Sequence, residues 1–113
     1  MTTYKIPLSP KSQTFSVVLG GQTYNLRLLW AWLPEPGVWL LDISDNLNNP
    51  LVQGIPLVTG CDLLEQYNSL NIGGSIGQGN GGYLFVGAGN GDMTTIPTYE
   101  SLGVSCFLWW QLK

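Results

Sequence analysis

Three groups of residues have the types and spacing to do chemistry: a glycine-rich run, scattered carboxylates and two cysteines. Gly77, Gly79 and Gly82 satisfy the G-x-G-x-x-G spacing of a dinucleotide-binding turn. Such a turn needs a strand before it and a helix after it, so that the helix N-terminus meets the pyrophosphate. Here a helical pattern precedes the run and a strand pattern follows it. We therefore interpret residues 73–82 as a flexible loop that could order against a partner.

The carboxylates lack the setting of an acid–base pair, the arrangement by which two carboxyl groups cleave glycosidic bonds. Two candidates lie in predicted turns, two suit a helix cap, and no pair has a distinctive setting. The candidates by type alone are Asp42, Asp45, Asp62, Glu65, Asp92 and Glu100. Histidine is absent, which excludes Ser-His-Asp and Cys-His catalysis and histidine-containing zinc sites. The sequence predicts no catalytic residue, no cofactor and no metal site, and it favours an assembly module over an enzyme such as a cell-wall hydrolase.

Cys61 and Cys106 leave three alternatives open. Both could be buried thiols, the commonest fate of a free cysteine. They could form a disulfide with each other if their Cα atoms approach within about 7 Å. Either could pair with another chain once a particle has left the reducing cytoplasm. Cys61 also lies near a predicted helix N-terminus, a place that favours the thiolate.

The five tryptophans have two possible uses. Indole rings can form a sugar-stacking platform, because each offers a flat apolar face with a donor edge. They can equally pack in a core or an interface, which their alternating positions favour: the residues are Trp30, Trp32, Trp39, Trp109 and Trp110. We prefer packing and keep a glycan-binding module as the alternative function.

The chain of 113 residues carries little charge, with 10% Asp, Glu, Lys or Arg against roughly 25% in an ordinary soluble domain. A formal net charge of −3 leaves no basic face, so nucleic-acid binding is not expected. No segment approaches the roughly 18 uninterrupted apolar residues that span a bilayer. The N-terminus lacks the apolar run of a secretion signal, which predicts folding in a cytoplasm. The length fits a single domain over 1–113, and the low charge suggests that other chains cover part of its surface.

Alternating apolar residues predict that most of the chain is β-strand. The clearest run places on one face Tyr24, Leu26, Leu28, Trp30 and Trp32. Similar alternation occurs at 15–19 and 39–44, and shorter apolar runs at 51–58 and 83–86. Gly20-Gly21 predicts a tight hairpin turn. The run 51–58 contains Gly54 and Pro56, which predicts an edge strand or a bulge.

The last strand, 105–113, carries large apolar side chains on both faces. One face holds Cys106, Leu108, Trp110 and Leu112, and the other holds Phe107, Trp109 and Gln111. Two aromatic faces imply burial on both sides, by the chain's own core and by another chain or layer. We therefore predict interface elements at the C-terminal strand and the glycine-rich loop: Phe107, Trp109, Trp110, Gly73, Gly74, Gly77 and Gly79.

One short helix is predicted after Asp62. Asp62 can cap it, and Glu65 can reach back as in a capping box. The apolar stripe would be Leu63, Leu64, Tyr67 and Leu70. The fold class that follows is all-β: a small β-barrel or sandwich of six to eight short strands with one short helix.

Over residues 13–103, the sequence contains a series of short segments in an order that can be compared with known families. These are Phe15-x-Val17-x-Leu19-x-Gly21, Trp39-Leu-Leu-Asp42-Ile, Gly54-Ile-Pro-Leu-Val58, Asp62-Leu-Leu-x-Gln66-Tyr67, Ile72-Gly-Gly74 and Pro97-Thr-Tyr99. The pattern resembles the small tail proteins of contractile-tailed phages typified by the cyanophage baseplate plug. The glycine-rich loop and the Trp109-Trp110 end are less typical of that pattern.

The resemblance implies a structural virion protein in the baseplate hub, plugging or completing the distal end of the tail tube above the spike. It implies hub, spike and tail-tube proteins as partners, and a location in the virion after assembly in the host cytoplasm. It carries over no catalytic residue. A chain of this size cannot plug a wide tube alone, so several copies per tail tip, or insertion among hub subunits, are expected.

Overall fold

A computed structural model describes residues 3–32, 37–59, 61–74, 77, 79–88, 99 and 101–112. It contains seven strands and one short 3₁₀ helix, Glu65–Leu70. In chain order the strands are β1 (Thr3–Ile6), β2 (Gln13–Leu19), β3 (Gln22–Ala31), β4 (Val38–Asp45), β5 (Pro50–Pro56), β6 (Gly82–Ala88) and β7 (Cys106–Leu112). All pairing between these strands is antiparallel.

The larger sheet has four strands in the order β2-β3-β4-β5, each paired with its neighbour in sequence. It forms because apolar residues alternate along β3 and β4, so one face of each strand is buried. Gly20 and Gly21 join β2 to β3 with φ angles of 60° and 85°, as a two-residue hairpin turn requires. The hairpin predicted at this dipeptide is confirmed.

β5 is the edge strand that its glycine and prolines predict. Its register against β4 shifts between Leu41 and Ile43 and again before Ser44. Gly54 has a φ of 75°, and its N–H turns aside to the Asp42 carboxylate at 2.8 Å. Such register shifts are typical of a β-bulge, in which an extra residue interrupts the ladder.

The smaller sheet has three strands in the order β1-β7-β6. β7 is its centre and pairs with β6 from Cys106 to Leu112. The other neighbour, β1, was not predicted, since its four residues are mostly exposed and show no alternation. β1 forms because β7 offers it a full set of backbone partners, from Ile6 opposite Leu108 to Thr3 opposite Gln111.

The two sheets pack around a single core. Trp39 and Leu26 of the larger sheet are fully buried, as are Trp110 and Leu108 of the smaller one. All four belong to one cluster of buried side chains, which also takes in Leu57, Leu64 and Ile72 from the connecting segments. The described strands form two sandwiched sheets and do not close into a barrel, so the all-β class is confirmed and the sandwich is the alternative that holds.

The helix differs from its prediction. It is a 3₁₀ helix that begins at Glu65, and no side chain caps it. Asp62 instead accepts hydrogen bonds from the N–H of Leu64 at 3.1 Å and from the N–H of Leu84 in β6 at 3.0 Å. The predicted capping box is wrong, because the Asp62 carboxylate bonds the backbone of β6, a strand distant in sequence, and does not cap the helix. The apolar stripe is partly confirmed, with Leu63 and Leu64 buried.

Candidate assembly interface

The two sheets differ in the chemistry of their outer faces. On the larger sheet most of the outer face is polar, although Val18 and Leu29 are also exposed there, and several of its polar side chains bond one another. Ser16 donates to Asn25 at 2.6 Å, and Asn25 donates to Asn48 at 2.7 Å. Arg27 forms an ion pair with Asp42 at 2.7 Å, directly across β3 and β4. A face with its polar groups already paired is suited to contact with water.

The outer face of the smaller sheet is aromatic. Phe107 and Trp109 lie two residues apart on β7, with ring centroids 5.9 Å apart in an edge-to-face arrangement. Phe85 stands opposite Trp109 on β6, and Lys5 stands opposite it on β1. The Lys5 ammonium lies 4.4 Å from the centre of the Phe107 ring, a cation–π contact. We call Lys5, Phe85, Phe107 and Trp109 the aromatic face.

The adjacent tryptophans of β7 occupy different environments. Trp109 is half-buried on the aromatic face, and its indole Nε1 donates to the Gly87 carbonyl at 3.2 Å. Trp110 points to the core and is 1% exposed. Of the predicted interface residues on β7, Phe107 and Trp109 therefore lie on the outer face of the sheet. Trp110 is inaccessible from outside the folded chain, because the alternation of the strand turns it inward.

The predicted glycine-rich loop is folded back on the body in its described part. Asn80 is buried, accepts the Ile72 N–H at 2.9 Å and donates to the Leu64 carbonyl at 3.0 Å. Asn68 accepts the Asn80 N–H, and Asn71 accepts the Gly79 N–H, both at 2.8 Å. A flexible loop is therefore the wrong description of these residues. The interpretation from composition missed asparagine side chains that satisfy the loop backbone.

The four glycines predicted at the interface fall into two groups. Gly73 and Gly79 are buried, while Gly74 is half-buried and Gly77 is exposed. A Cβ atom on Gly73 would lie 2.7 Å from the Trp110 ring, whereas one on Gly77 would meet nothing within 4 Å. Gly73 and Gly79 thus serve internal packing, and Gly77 is the one among these four that faces outward.

The two cysteines are not joined by a disulfide. Cys61 is exposed, beside an apolar groove that Pro56, Val58 and Leu63 also line. Cys106 is buried at the start of β7. The buried-thiol alternative thus describes Cys106, while Cys61 is accessible to another chain.

A second aromatic group lies at the end of the larger sheet. Trp32 is 68% exposed and stacks on Tyr99, with ring centroids 5.6 Å apart and planes 25° apart. Tyr99 also stacks on the buried Trp39 at 5.9 Å, and Trp30 meets both rings edge to face. Within the group Trp32 exposes most of its indole to solvent, whereas Trp30 is half-buried and Trp39 is buried.

Three of the described carboxylates, those of Asp42, Asp45 and Asp62, serve structural roles. Asp42 pairs with Arg27, and Asp62 holds β6. Asp45 closes the β4–β5 turn by accepting the backbone and side-chain N–H groups of Asn49 and the N–H of Leu47. The bonds from Asn49, foremost the backbone one, lower the pKa of this carboxyl below its ordinary value, and the Leu47 bond adds to them. Asp92 and Glu100 lie outside the described residues.

A comparison with protein families identifies the family of the chain. The family described as cyanophage baseplate Pam3 plug gp18 matches residues 3–113. The chain belongs to this family. The resemblance over 13–103 is thereby confirmed, and the family match extends through β1 and β7, which carry Lys5, Phe107 and Trp109 of the aromatic face. No curated protein matches the chain.

Membership of the baseplate plug family makes the chain a structural protein of the phage virion, located in the tail baseplate. A baseplate plug assembles with other baseplate proteins, and the family is not typically enzymatic. Over the described residues, the structure has no helix with the length and apolar character needed to span a membrane.

Proposed function

We propose that the chain plugs or completes the distal end of the tail tube, within the baseplate hub and above the spike. The observation that carries the proposal is the family match over 3–113. The sandwich supports it, because antiparallel sheets around one core form a rigid body that can hold position under load. In this role the protein acts by packing and performs no catalysis.

The aromatic face is the surface we assign to this packing. Trp and Phe are enriched where protein interfaces are most strongly stabilised, and charged residues are depleted there. Lys5 is the one charge of the face, and it already lies on the Phe107 ring. The outer face of the larger sheet lacks this character, since Arg27 and Asp42 are exposed or half-buried and paired. The hub, spike or tube proteins would therefore contact β7 and its neighbours.

Several copies per tail tip fit the dimensions of the chain. Its principal extents are 38 × 30 × 22 Å, too small for one copy to fill a wide tube. The proposal includes assembly in the host cytoplasm. It includes no contact with nucleic acid, because a chain with a net charge of −3 repels phosphates.

A map of the assembled tail tip tests the location. We expect density for this sandwich inside the hub, at the tube end, in a fixed small copy number. Quantitative mass spectrometry of purified tail tips should give the same copy number. Absence of the chain from mature particles would overturn the proposal, and a position on the baseplate periphery would overturn the plug role.

Trp109→Ala tests the aromatic face, with Trp32→Ala as a control at the other aromatic group. We expect W109A to lower incorporation into tail particles at least about tenfold, because interface tryptophans can contribute 2 kcal/mol or more to binding. Its folded stability should fall by only about 1–2 kcal/mol, since the indole is half-buried and donates one hydrogen bond. W32A should leave incorporation unchanged. If W109A unfolds the chain and blocks incorporation in parallel, Trp109 is a core residue and the assignment is wrong.

A glycan-binding module is the second candidate function, and the exposed indole of Trp32 stacked on Tyr99 is the observation that favours it. Stacking of a sugar ring on Trp32 should shift tryptophan fluorescence during titration with host-surface saccharides. W32A should abolish that shift, and W109A should retain it. Flat titrations across these saccharides would dismiss the candidate.

A further inference from the structure

The two sheets have four edge strands, and three of them are protected against pairing with another chain. β6 is covered by the chain itself: Thr59 bridges Val86, and the Leu63 N–H donates to the Leu84 carbonyl at 2.7 Å. β5 has a proline at each end, a glycine at positive φ and a shifted register. β1 has only four residues and carries Lys5. Natural sheets block edge pairing by such devices: an edge strand is covered, kept short, bulged, or given prolines and lysines.

β2 has none of these devices. Its seven residues, Gln13–Leu19, contain no proline and no charge. Its register against β3 runs without a shift from Gln13 opposite Leu28 to Leu19 opposite Gln22. Among the described residues, no strand pairs with the other side of β2. A long, regular and uncharged edge of this kind is a template for another strand.

The hairpin fixes which backbone groups face the open edge. In a two-residue hairpin the flanking residues, here Leu19 and Gln22, form a hydrogen-bonded pair. Bonding alternates along the strand, so Phe15 and Val17 also turn their N–H and C=O groups to β3. The groups of Thr14, Ser16 and Val18 therefore point away from the sheet, and all three residues are exposed.

We propose that β2 pairs with β2 of a second copy of this chain, antiparallel, about a twofold axis at Ser16. In this register Ser16 stands opposite its own equivalent, and Thr14 stands opposite the equivalent of Val18. All three outward-facing residues then form hydrogen-bonded pairs. A shift of two residues in either direction would leave one of the three without a partner inside β2. The two larger sheets would join into one continuous sheet of eight strands.

The side chains of β2 are complementary to themselves in this register. On the core side, Phe15 meets the equivalent of Val17, and both are only half-buried in the single chain. Aromatic and β-branched side chains form favourable cross-strand pairs. On the outer side the pairs are Ser with Ser and Thr with Val, and no like charges meet. This complementarity favours a second copy as the occupant. The twofold pairing also uses both open edges at once, so that assembly stops at the dimer.

Sedimentation of the purified full chain over a range of concentrations tests the proposal. We expect a concentration-dependent species of twice the 12.3 kDa chain mass. Ser16→Lys should raise the dimer dissociation constant at least about tenfold, because it places two lysines face to face on the axis. Thr23→Lys is the control. Thr23 is also exposed but lies on β3, opposite Val18, so its lysine adds the same charge one strand away from the open edge. T23K should dimerise as the natural chain does.

A second pair of variants tests the register. T14K/V18K places lysines opposite each other twice and should dissociate the dimer, whereas T14K/V18E places Lys opposite Glu twice and should retain it. In the natural dimer, the amide hydrogens of Thr14, Ser16 and Val18 should exchange more slowly as concentration rises. A chain that stays monomeric throughout the range overturns the proposal. A dimer that S16K and T14K/V18K leave intact overturns the β2 assignment. None of these readouts involves the virion, so they are independent of the proposed plug role.

Discussion

At the scale of single residues, position on a strand decides what a side chain does more than its type. Trp109 and Trp110 are adjacent and chemically identical, yet one lies on the aromatic face and the other in the core. The period of two along β7 makes this difference, and the sequence shows that period. The sequence does not show which face of β7 points to the core, because both faces carry large apolar residues.

The Asp45 carboxyl predicts how the stability of the fold changes with pH. Its carboxyl has a pKa below the ordinary value of 3.8 because of the backbone and side-chain hydrogen bonds from Asn49 and the one from Leu47. Since the folded-state pKa is the lower one, the carboxylate stabilises the fold above about pH 4, and this contribution is lost as the pH falls through the folded-state pKa. Asp45→Asn keeps an oxygen acceptor but cannot titrate. We expect D45N to lose less stability than the natural chain as the pH falls below about 4.

Urea unfolding midpoints at a series of pH values measure this effect. Glu65→Gln is the matched control, because it removes one exposed carboxylate without touching the β4–β5 turn. If D45N and the natural chain lose stability in parallel through the acid range, Asp45 does not contribute to the acid slope.

At the scale of elements, strands with strong alternation could be predicted and elements held by distant partners could not. β3 and β4 follow from their own residues, since each alternates over most of its length. β1 does not, because its only support is β7, more than a hundred residues away in the sequence. The 3₁₀ helix was predicted as a capped helix because the bond from Leu84 to Asp62 is invisible before folding. The glycine-rich loop was misjudged for the same reason, through Asn68, Asn71 and Asn80.

The folded state of that loop is tested by Gly73→Ala with Gly77→Ala as its matched control. Both glycines have positive φ, 69° and 81°, so each alanine adds a similar backbone penalty of about 1–2 kcal/mol. Only at Gly73 does the new methyl also meet the Trp110 ring. We expect the free energy of unfolding of G73A to be about 1–3 kcal/mol lower than that of G77A. Denaturant unfolding of the two variants measures the difference. Equal losses would show that the loop does not pack on Trp110 in solution.

At the scale of the whole molecule, the shortage of charge matches how the surfaces are divided. With 10% charged residues, the chain concentrates polar pairing on the outer face of the larger sheet and leaves the aromatic face to the smaller one. Val18 is an exposed apolar side chain on the outer face of the larger sheet, at the open edge of β2. Contiguous apolar surface on a folded chain marks sites of contact with other proteins. This division fits a subunit that contacts other chains through part of its surface.

The single core predicts that both sheets unfold together, as one domain over 1–113. Leu26 of β3 and Leu108 of β7 are each 0% exposed and belong to the same cluster. Leu26→Ala and Leu108→Ala should therefore each lower the free energy of global unfolding by about 2–5 kcal/mol. Because the sheets share that core, L108A should speed amide exchange in β3 as much as in β7, and L26A should do the same in reverse. Native-state hydrogen exchange at one fixed protein concentration measures both strands in each variant. If each substitution affects only its own sheet, the sheets unfold as separate units and the sandwich is not one cooperative domain.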